Sequence, residues 1–120
     1  MVVGIEESTQ RAEVIGFTLD PRHIEIQLYV SENLIYFVGH FPDFPILPGV
    51  VQLDWAVHYA REFLELYAPV ISVERLKFTC PIRPAMQITL SIETSPDKRY
   101  ANFRFYCEHL TFSQGRLVYE

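Results

Sequence analysis

The residues that could carry chemistry are concentrated in one short stretch of this 120-residue chain. His40 lies in a segment with prolines at positions 42, 45 and 48, which predicts an irregular loop because each proline fixes φ and removes a donor. Asp54 follows and is the only ionisable residue among positions 50–57. A carboxyl group among apolar side chains either finds a partner or is held neutral, and a neutral carboxylic acid can act as a general acid. His40 and Asp54 are therefore candidate catalytic residues, although a loop-capping histidine and a structural aspartate bonded to the backbone or to His58 fit the same pattern.

The third candidate group is the backbone N–H of Gly49, directly before the predicted helix. The first N–H groups of a helix have no intrahelical acceptor and carry the positive end of the helix dipole. Glycine also lets a ligand approach closely, because it has no side chain. The position is suited to the oxygen of a polarised carbonyl, although a glycine before a helix is common and is not by itself evidence of a site.

The other three histidines fit structural positions. His58 lies one helical turn after Asp54, where an i,i+4 pair can form. His23, at the start of a predicted strand, and His109, in a predicted turn, are typical of solvated surface.

Hydrophobic periodicity predicts two strands, one helix and then about four strands. The helix is expected over residues 50–67, with an enclosed first half, because residues 50–57 are apolar on nearly every side. Alternating apolar residues predict strands over residues 13–19, 24–30, 70–79, 86–94 and, as two strands joined near residues 108–109, over 100–119. Gly115 indicates a bulge or bend. One antiparallel sheet wrapped round the helix is the simplest arrangement that buries it.

The composition is that of an ordinary folded protein, with 49% hydrophobic and 21% charged residues. A net charge of −5 argues against non-specific binding to nucleic acid. The apolar runs are too short to cross a bilayer and no secretory signal is visible in the first ten residues, so we expect a cytoplasmic protein of one domain. Cys80 and Cys107 are then expected to be reduced thiols.

The stretch from Gly39 to Asp54, GHFPDFPILPGVVQLD, resembles the active-site motif of the bacterial 3-hydroxyacyl-[acyl carrier protein] dehydratases. The histidine, the three prolines, the Pro-Gly-Val and the acid all fall in register with that motif. The resemblance implies a single hot-dog domain over residues 1–120, in which a curved antiparallel sheet of five to six strands wraps one central helix.

The resemblance also implies the role of each group. His40 would remove a proton from C2 of a 3-hydroxyacyl thioester, Asp54 would bind the departing C3 hydroxyl, and the Gly49 N–H would hold the thioester carbonyl. The product is the trans-2-enoyl thioester, and neither a cofactor nor a metal is implied. The acyl carrier protein would present the substrate, and each site would take its histidine and its acid from different subunits of a homodimer or of a heterodimer with a related chain. Further substrate contacts are expected from Phe41, Val50 and Trp55, although Trp55 equally fits a core position.

Two departures from the family pattern refine this picture. The acid is Asp54, where the commoner short dehydratases carry Glu, and Pro84-Ala85-Met86 replaces a frequent Pro-Gly-Asp. With Gln52-Leu53-Asp54-Trp55, the chain looks most similar to the small dehydratases of aryl polyene and related lipid pathways. A thioesterase on the same fold and a silent acyl-binding subunit are the alternatives.

An acidic carrier protein is expected to dock on basic residues near the mouth of the acyl tunnel. The sequence leaves open which of the candidates share a face; they are Arg75, Lys77, Arg83, Arg99 and Arg104.

Overall fold

The computed structural model describes residues 10–37 and 45–120, which form one six-stranded antiparallel sheet and one long helix. The helix, α1, spans Gly49–Leu64. The strands are β1 (Glu13–Asp20), β2 (His23–Val30), β3 (Val70–Phe78), β4 (Met86–Thr94), β5 (Tyr100–Cys107) and β6 (Leu110–Tyr119). A short 3₁₀-helix covers Ile35–Phe37. The predicted fold class is confirmed, and every predicted strand is present with its bounds within two residues.

The strands are ordered β1-β2-β4-β5-β6-β3 across the sheet. Inward-facing side chains meet in register across the central strands, so that Ile26, Leu90 and Phe105 form one buried row. Such cross-strand rows are the main source of stability in a sheet with one covered face. The buried row fixes the register, because a shift by one residue would turn these side chains to solvent.

Helix α1 packs on the inner face of the sheet, against β2 and β4. It ends at Leu64, three residues before the predicted end, because Glu65 adopts a left-handed conformation with φ 57°. The N–H of Leu66 then donates to the carbonyl of Ala60 at 3.3 Å, which closes the last turn. No helix in the described residues is long and apolar enough to span a membrane.

The prediction that the first half of α1 is enclosed is wrong for the single chain. Trp55 and Ala56 have no exposed surface, whereas Val50 is 72% exposed and the side chain of Asp54 is 60% exposed. The sheet covers only one side of the helix, and the opposite side of its first two turns is open. Apolar composition on all sides therefore indicates a surface that one chain alone does not cover.

Strand β3 forms one edge of the sheet, and its residues after Val70 are exposed. Large apolar side chains are among them, including Ile71, Leu76 and Phe78. An uncovered edge with apolar side chains can pair with another chain. The irregularity predicted at Gly115 is present, but the extra residue lies in β3, where Arg75 has φ 54°. Gly115 itself is needed because a Cβ there would lie 2.9 Å from the Phe103 ring.

Candidate active site

Four of the six predicted site residues lie in the first two turns of α1. Gly49 and Val50 are its first two residues, and Asp54 and Trp55 follow one turn later. His40 and Phe41 lie outside the described residues. The described residues therefore include the helix side of the candidate site.

The start of α1 leaves its first N–H groups without side-chain caps. Pro48 is the N-cap in an extended conformation and supplies no capping side chain. Its carbonyl accepts hydrogen bonds from the N–H groups of Val51 and Gln52, at 3.1 and 3.2 Å. The N–H groups of Gly49 and Val50 precede the first intrahelical donors, so they remain at the positive end of the helix dipole for a ligand oxygen. This is the arrangement that the sequence predicts for a carbonyl-binding site.

Gly49 is tightly packed against the edge strand β3. A Cβ atom built on Gly49 would lie 2.7 Å from Cζ of Phe78, far inside van der Waals contact. The Phe78 ring thus lies against the helix start because residue 49 has no side chain. The resemblance gave Phe78 no role at the site, because its approach depends on where the edge strand passes the helix.

A cavity of about 430 Å³ opens beside the helix start. Apolar side chains form most of its wall, with the backbone of Gly49 at one side. Its lining residues are Ile46, Leu47, Gly49, Gln52, Phe78, Thr79, Cys80 and Pro81. An apolar cavity with a free N–H at its edge can hold a chain by burial and orient a carbonyl by one hydrogen bond.

Gln52 connects the loop before α1 to the sheet. Its side chain is buried, its Nε2 donates to the Leu47 carbonyl at 3.2 Å, and its Oε1 accepts a hydrogen bond from Ser113 Oγ at 2.6 Å. The N–H of Leu47 in turn donates to the Ile82 carbonyl at 2.8 Å. These bonds hold the segment leading to Gly49 in one place. The signal for this role in the sequence is a glutamine among apolar helix residues.

Replacing Gln52 with Leu is expected to lower the free energy of unfolding by about 1–3 kcal/mol, because the Ser113 hydroxyl and the Leu47 carbonyl lose a buried partner. Urea unfolding followed by circular dichroism measures the change. The double variant Gln52→Leu/Ser113→Ala should lose less than the sum of the two single variants, because it removes both ends of one bond. Gln87→Leu, at an exposed position in β4, serves as the control. Additive losses in the double variant would contradict the coupling.

Asp54 is exposed in the single chain, contrary to the expected burial. The nearest described cation is Arg11, whose Nη2 lies 4.0 Å from Asp54 Oδ2. Asp54 does lie on the open side of the helix with Val50, one turn from the free N–H groups.

Trp55 is fully buried, and its indole Nε1 donates to the carbonyl of Gln10 at 2.8 Å. The structure thus favours the core alternative for Trp55 over a position on a tunnel wall. Val50, by contrast, presents its side chain outward from the helix start.

The remaining histidines make local contacts. Nε2 of His58 lies 3.1 Å from Oε2 of Glu62, so the i,i+4 partner is Glu62 and not Asp54. Burial lowers the pKa of His58, which outweighs the opposing effect of Glu62. His23 is partly exposed and also bonded to Ser91 Oγ at 2.9 Å, and His109 is exposed as predicted. Among the described residues, no three His, Cys, Asp or Glu side chains are grouped as metal ligands would be.

The candidate basic residues for carrier-protein docking do not all lie on one face of the molecule. Arg75 and Arg104 line a shallow groove on the outer face of the sheet, where Glu93 and Arg116 also lie. Arg83 follows Ile82, which is bonded to the loop before α1. Arg99 is at the other end of β4, where its carbonyl accepts a hydrogen bond from Tyr119 N–H at 2.8 Å.

The sheet, its single helix and the open helix start define a hot-dog protein. Thioesterase superfamily member 2 from Mus musculus has the same fold, with a TM-score of 0.66 over 87% of this chain and 79% of that one. The two sequences are only 12% identical, so this similarity concerns the fold alone.

The chain belongs to the ApeI-like family, whose model, described as ApeI dehydratase, matches residues 17–116. A solved structure of "the dehydratase heterocomplex ApeI:P" from Xenorhabdus doucetiae contains a chain 35% identical to this one, with a TM-score of 0.83 over 90% of this chain and 96% of that chain. The 3-hydroxyacyl-[acyl-carrier-protein] dehydratase FabZ of Chlamydia caviae is 35% identical over 92 residues, which are 69% of this chain. The chain spans 60% of the length of that relative. These findings confirm the family resemblance predicted from the motif.

Proposed function

We propose that this protein removes water from a 3-hydroxyacyl thioester carried on acyl carrier protein and yields the trans-2-enoyl thioester. The observation that carries the proposal is the uncapped helix start at Gly49 beside an apolar cavity, with Asp54 on the same helix. Five residues of helix separate the two groups by about 7.5 Å along its axis, which lets one ligand reach both. Family membership supports the same reaction.

Each group has a task that the reaction requires. The proton at C2 is weakly acidic, so the Gly49 N–H and the helix dipole would stabilise negative charge on the thioester oxygen while His40 removes that proton. The hydroxyl at C3 is a poor leaving group, so Asp54 would donate a proton to it and release it as water. The acyl chain would lie in the cavity bounded by Phe78 and Ile46.

The active unit would contain two hot-dog chains, each of which forms one domain. The exposed side chains of Val50 and Phe78 give one chain an apolar surface next to the candidate site. A partner on this surface would cover the open side of α1 and bring its own histidine loop to Asp54. The heterocomplex named for the Xenorhabdus relative makes a related second chain a candidate partner, and a second copy is the other. Free Cys80 and Cys107 are consistent with a cytoplasmic enzyme.

Mass spectrometry of the carrier-bound acyl group tests the reaction directly. Wild-type protein, alone and with a related hot-dog chain, is incubated with saturated, polyunsaturated and aryl 3-hydroxyacyl carrier proteins. Loss of one water by the wild type but not by His40→Ala is expected. Release of free carrier thiol would instead identify a thioesterase. If turnover required the related hot-dog chain and persisted in His40→Ala of this chain, this chain would be a silent subunit.

Docking of the acidic carrier protein is proposed to involve Arg83. Residue 83 adjoins the loop leading to Gly49, whereas Arg99 is at the opposite end of a strand about 26 Å long. Arg83→Glu is expected to raise KM for carrier-bound substrate about tenfold, because it replaces attraction by repulsion, and to leave a small thioester mimic unaffected. Steady-state kinetics measure both values. Arg99→Glu is the matched control, and an equal rise in KM for both variants would contradict this location.

A further inference from the structure

The N-terminal segment Gln10–Ala12 lies over the helix that carries Asp54. The carbonyl of Gln10 accepts two hydrogen bonds, from Trp55 Nε1 at 2.8 Å and from Tyr36 Oη at 2.9 Å. The carbonyl of Ala12 accepts a third, from Tyr59 Oη at 3.1 Å. Trp55 and Tyr59 both belong to α1, so the backbone on each side of residue 11 is fixed to the helix itself.

Arg11 is thereby held beside the open side of the helix. Its Nη2 lies 4.0 Å from Asp54 Oδ2, and the two side chains are 36% and 60% exposed. The same guanidinium is close enough to His58 to contribute, after burial, to the lowered pKa of that histidine. The charges of Arg11 and Asp54 act on both His58 and Tyr36, and Glu62 is a further described charge beside His58.

Such an exposed pair contributes little to the stability of the fold, at most about 1 kcal/mol. The pair has a larger effect on the orientation of the Asp54 carboxyl group, because an exposed aspartate can otherwise rotate about two side-chain bonds. Because the backbone on each side of Arg11 is fixed, its guanidinium favours the Asp54 rotamers that place a carboxyl oxygen close to it. The anchors at Trp55 and Tyr59 explain why an exposed arginine can do this.

We propose that Arg11 is a positioning residue that holds one oxygen of the Asp54 carboxyl group and thereby orients the other, protonated oxygen toward the departing C3 hydroxyl. This inference rests on the proposed dehydration and adds a residue to its machinery. Arg11 acts through Asp54, so its loss should slow turnover and leave binding of the thioester unchanged. A lysine at position 11 also carries a positive charge, so Arg11→Lys should preserve part of the effect on turnover.

The test compares Arg11→Met, Arg11→Lys and the control Arg22→Met, which changes an exposed arginine in the β1–β2 turn. Arg11→Met is expected to lower kcat about fivefold, with KM and the thermal midpoint nearly unchanged. Arg11→Lys should recover at least half of the lost kcat, and millimolar guanidinium should raise kcat of Arg11→Met but not of the wild type. Arg22→Met should match the wild type.

Two results would overturn the inference while leaving the proposed reaction intact. One is full kcat in Arg11→Met. The other is an equal loss in the Lys and Met variants that follows a fall in the thermal midpoint, since that would indicate a purely structural role. Wild-type protein that releases no water from any carrier-bound substrate would overturn the proposed function and this inference together.

Discussion

Asp54→Asn is expected to reduce kcat by about 10²- to 10⁴-fold, which is the usual contribution of a positioned acid. The amide keeps the size of the side chain and can accept or donate a hydrogen bond to the C3 hydroxyl, but it cannot deliver a proton to the leaving oxygen. Because Asp54 is 60% exposed in the single chain, the substitution should leave the fold intact. Single-turnover mass analysis of the carrier-bound acyl group measures the loss.

Two further variants make this prediction specific. Glu62→Gln removes a carboxyl group two turns further along the same helix and should retain wild-type turnover. Asp54→Glu should retain part of the activity, because it preserves the carboxyl group. Turnover by Asp54→Asn equal to that of the wild type would exclude Asp54 as the acid, and the reaction would then need another proton donor.

The fold could be predicted from the sequence because its elements follow from local patterns. The alternation from Ile24 to Val30 has only one strand register that buries its apolar residues, and β2 adopts it. The proline-rich segment before Gly49 cannot be helical, so the helix has to start there. The motif from Gly39 to Asp54 then indicated the family without any structure.

The surroundings of the candidate site could not be predicted in this way. The exposure of Asp54 depends on which side of α1 the sheet covers, and an evenly apolar helix start carries no signal for that choice. Phe78 and Arg11 reach the helix from the edge strand and from the N-terminal segment, respectively. Contacts between segments so distant in sequence depend on strand order, which periodicity does not define.

The open side of α1 leads to a prediction about two chains. If His40 of one protomer and Asp54 of its partner form one site, His40→Ala and Asp54→Asn should each be nearly inactive alone and should complement each other when mixed. A mixed dimer has one site with both groups intact and one site with neither. Random reassociation makes about half of the dimers mixed, so about a quarter of wild-type activity is expected.

The mixing experiment requires that the wild-type chain is active without a second kind of subunit. The variants are combined under mild denaturant, which is then removed, and initial rates are compared with those of the unmixed variants treated in the same way. A double variant, His40→Ala/Asp54→Asn, mixed with wild type is the matched control. Its mixed dimers would have two half-sites and no complete one, so activity should fall from the half expected for simple dilution to about a quarter. If both groups of a site came from one chain, the two single variants would stay inactive together and the double variant would only dilute the wild type. A site shared between protomers therefore predicts about a quarter of wild-type activity in both mixtures. A site within one protomer predicts no activity in the mixture of single variants and about half in the mixture with wild type.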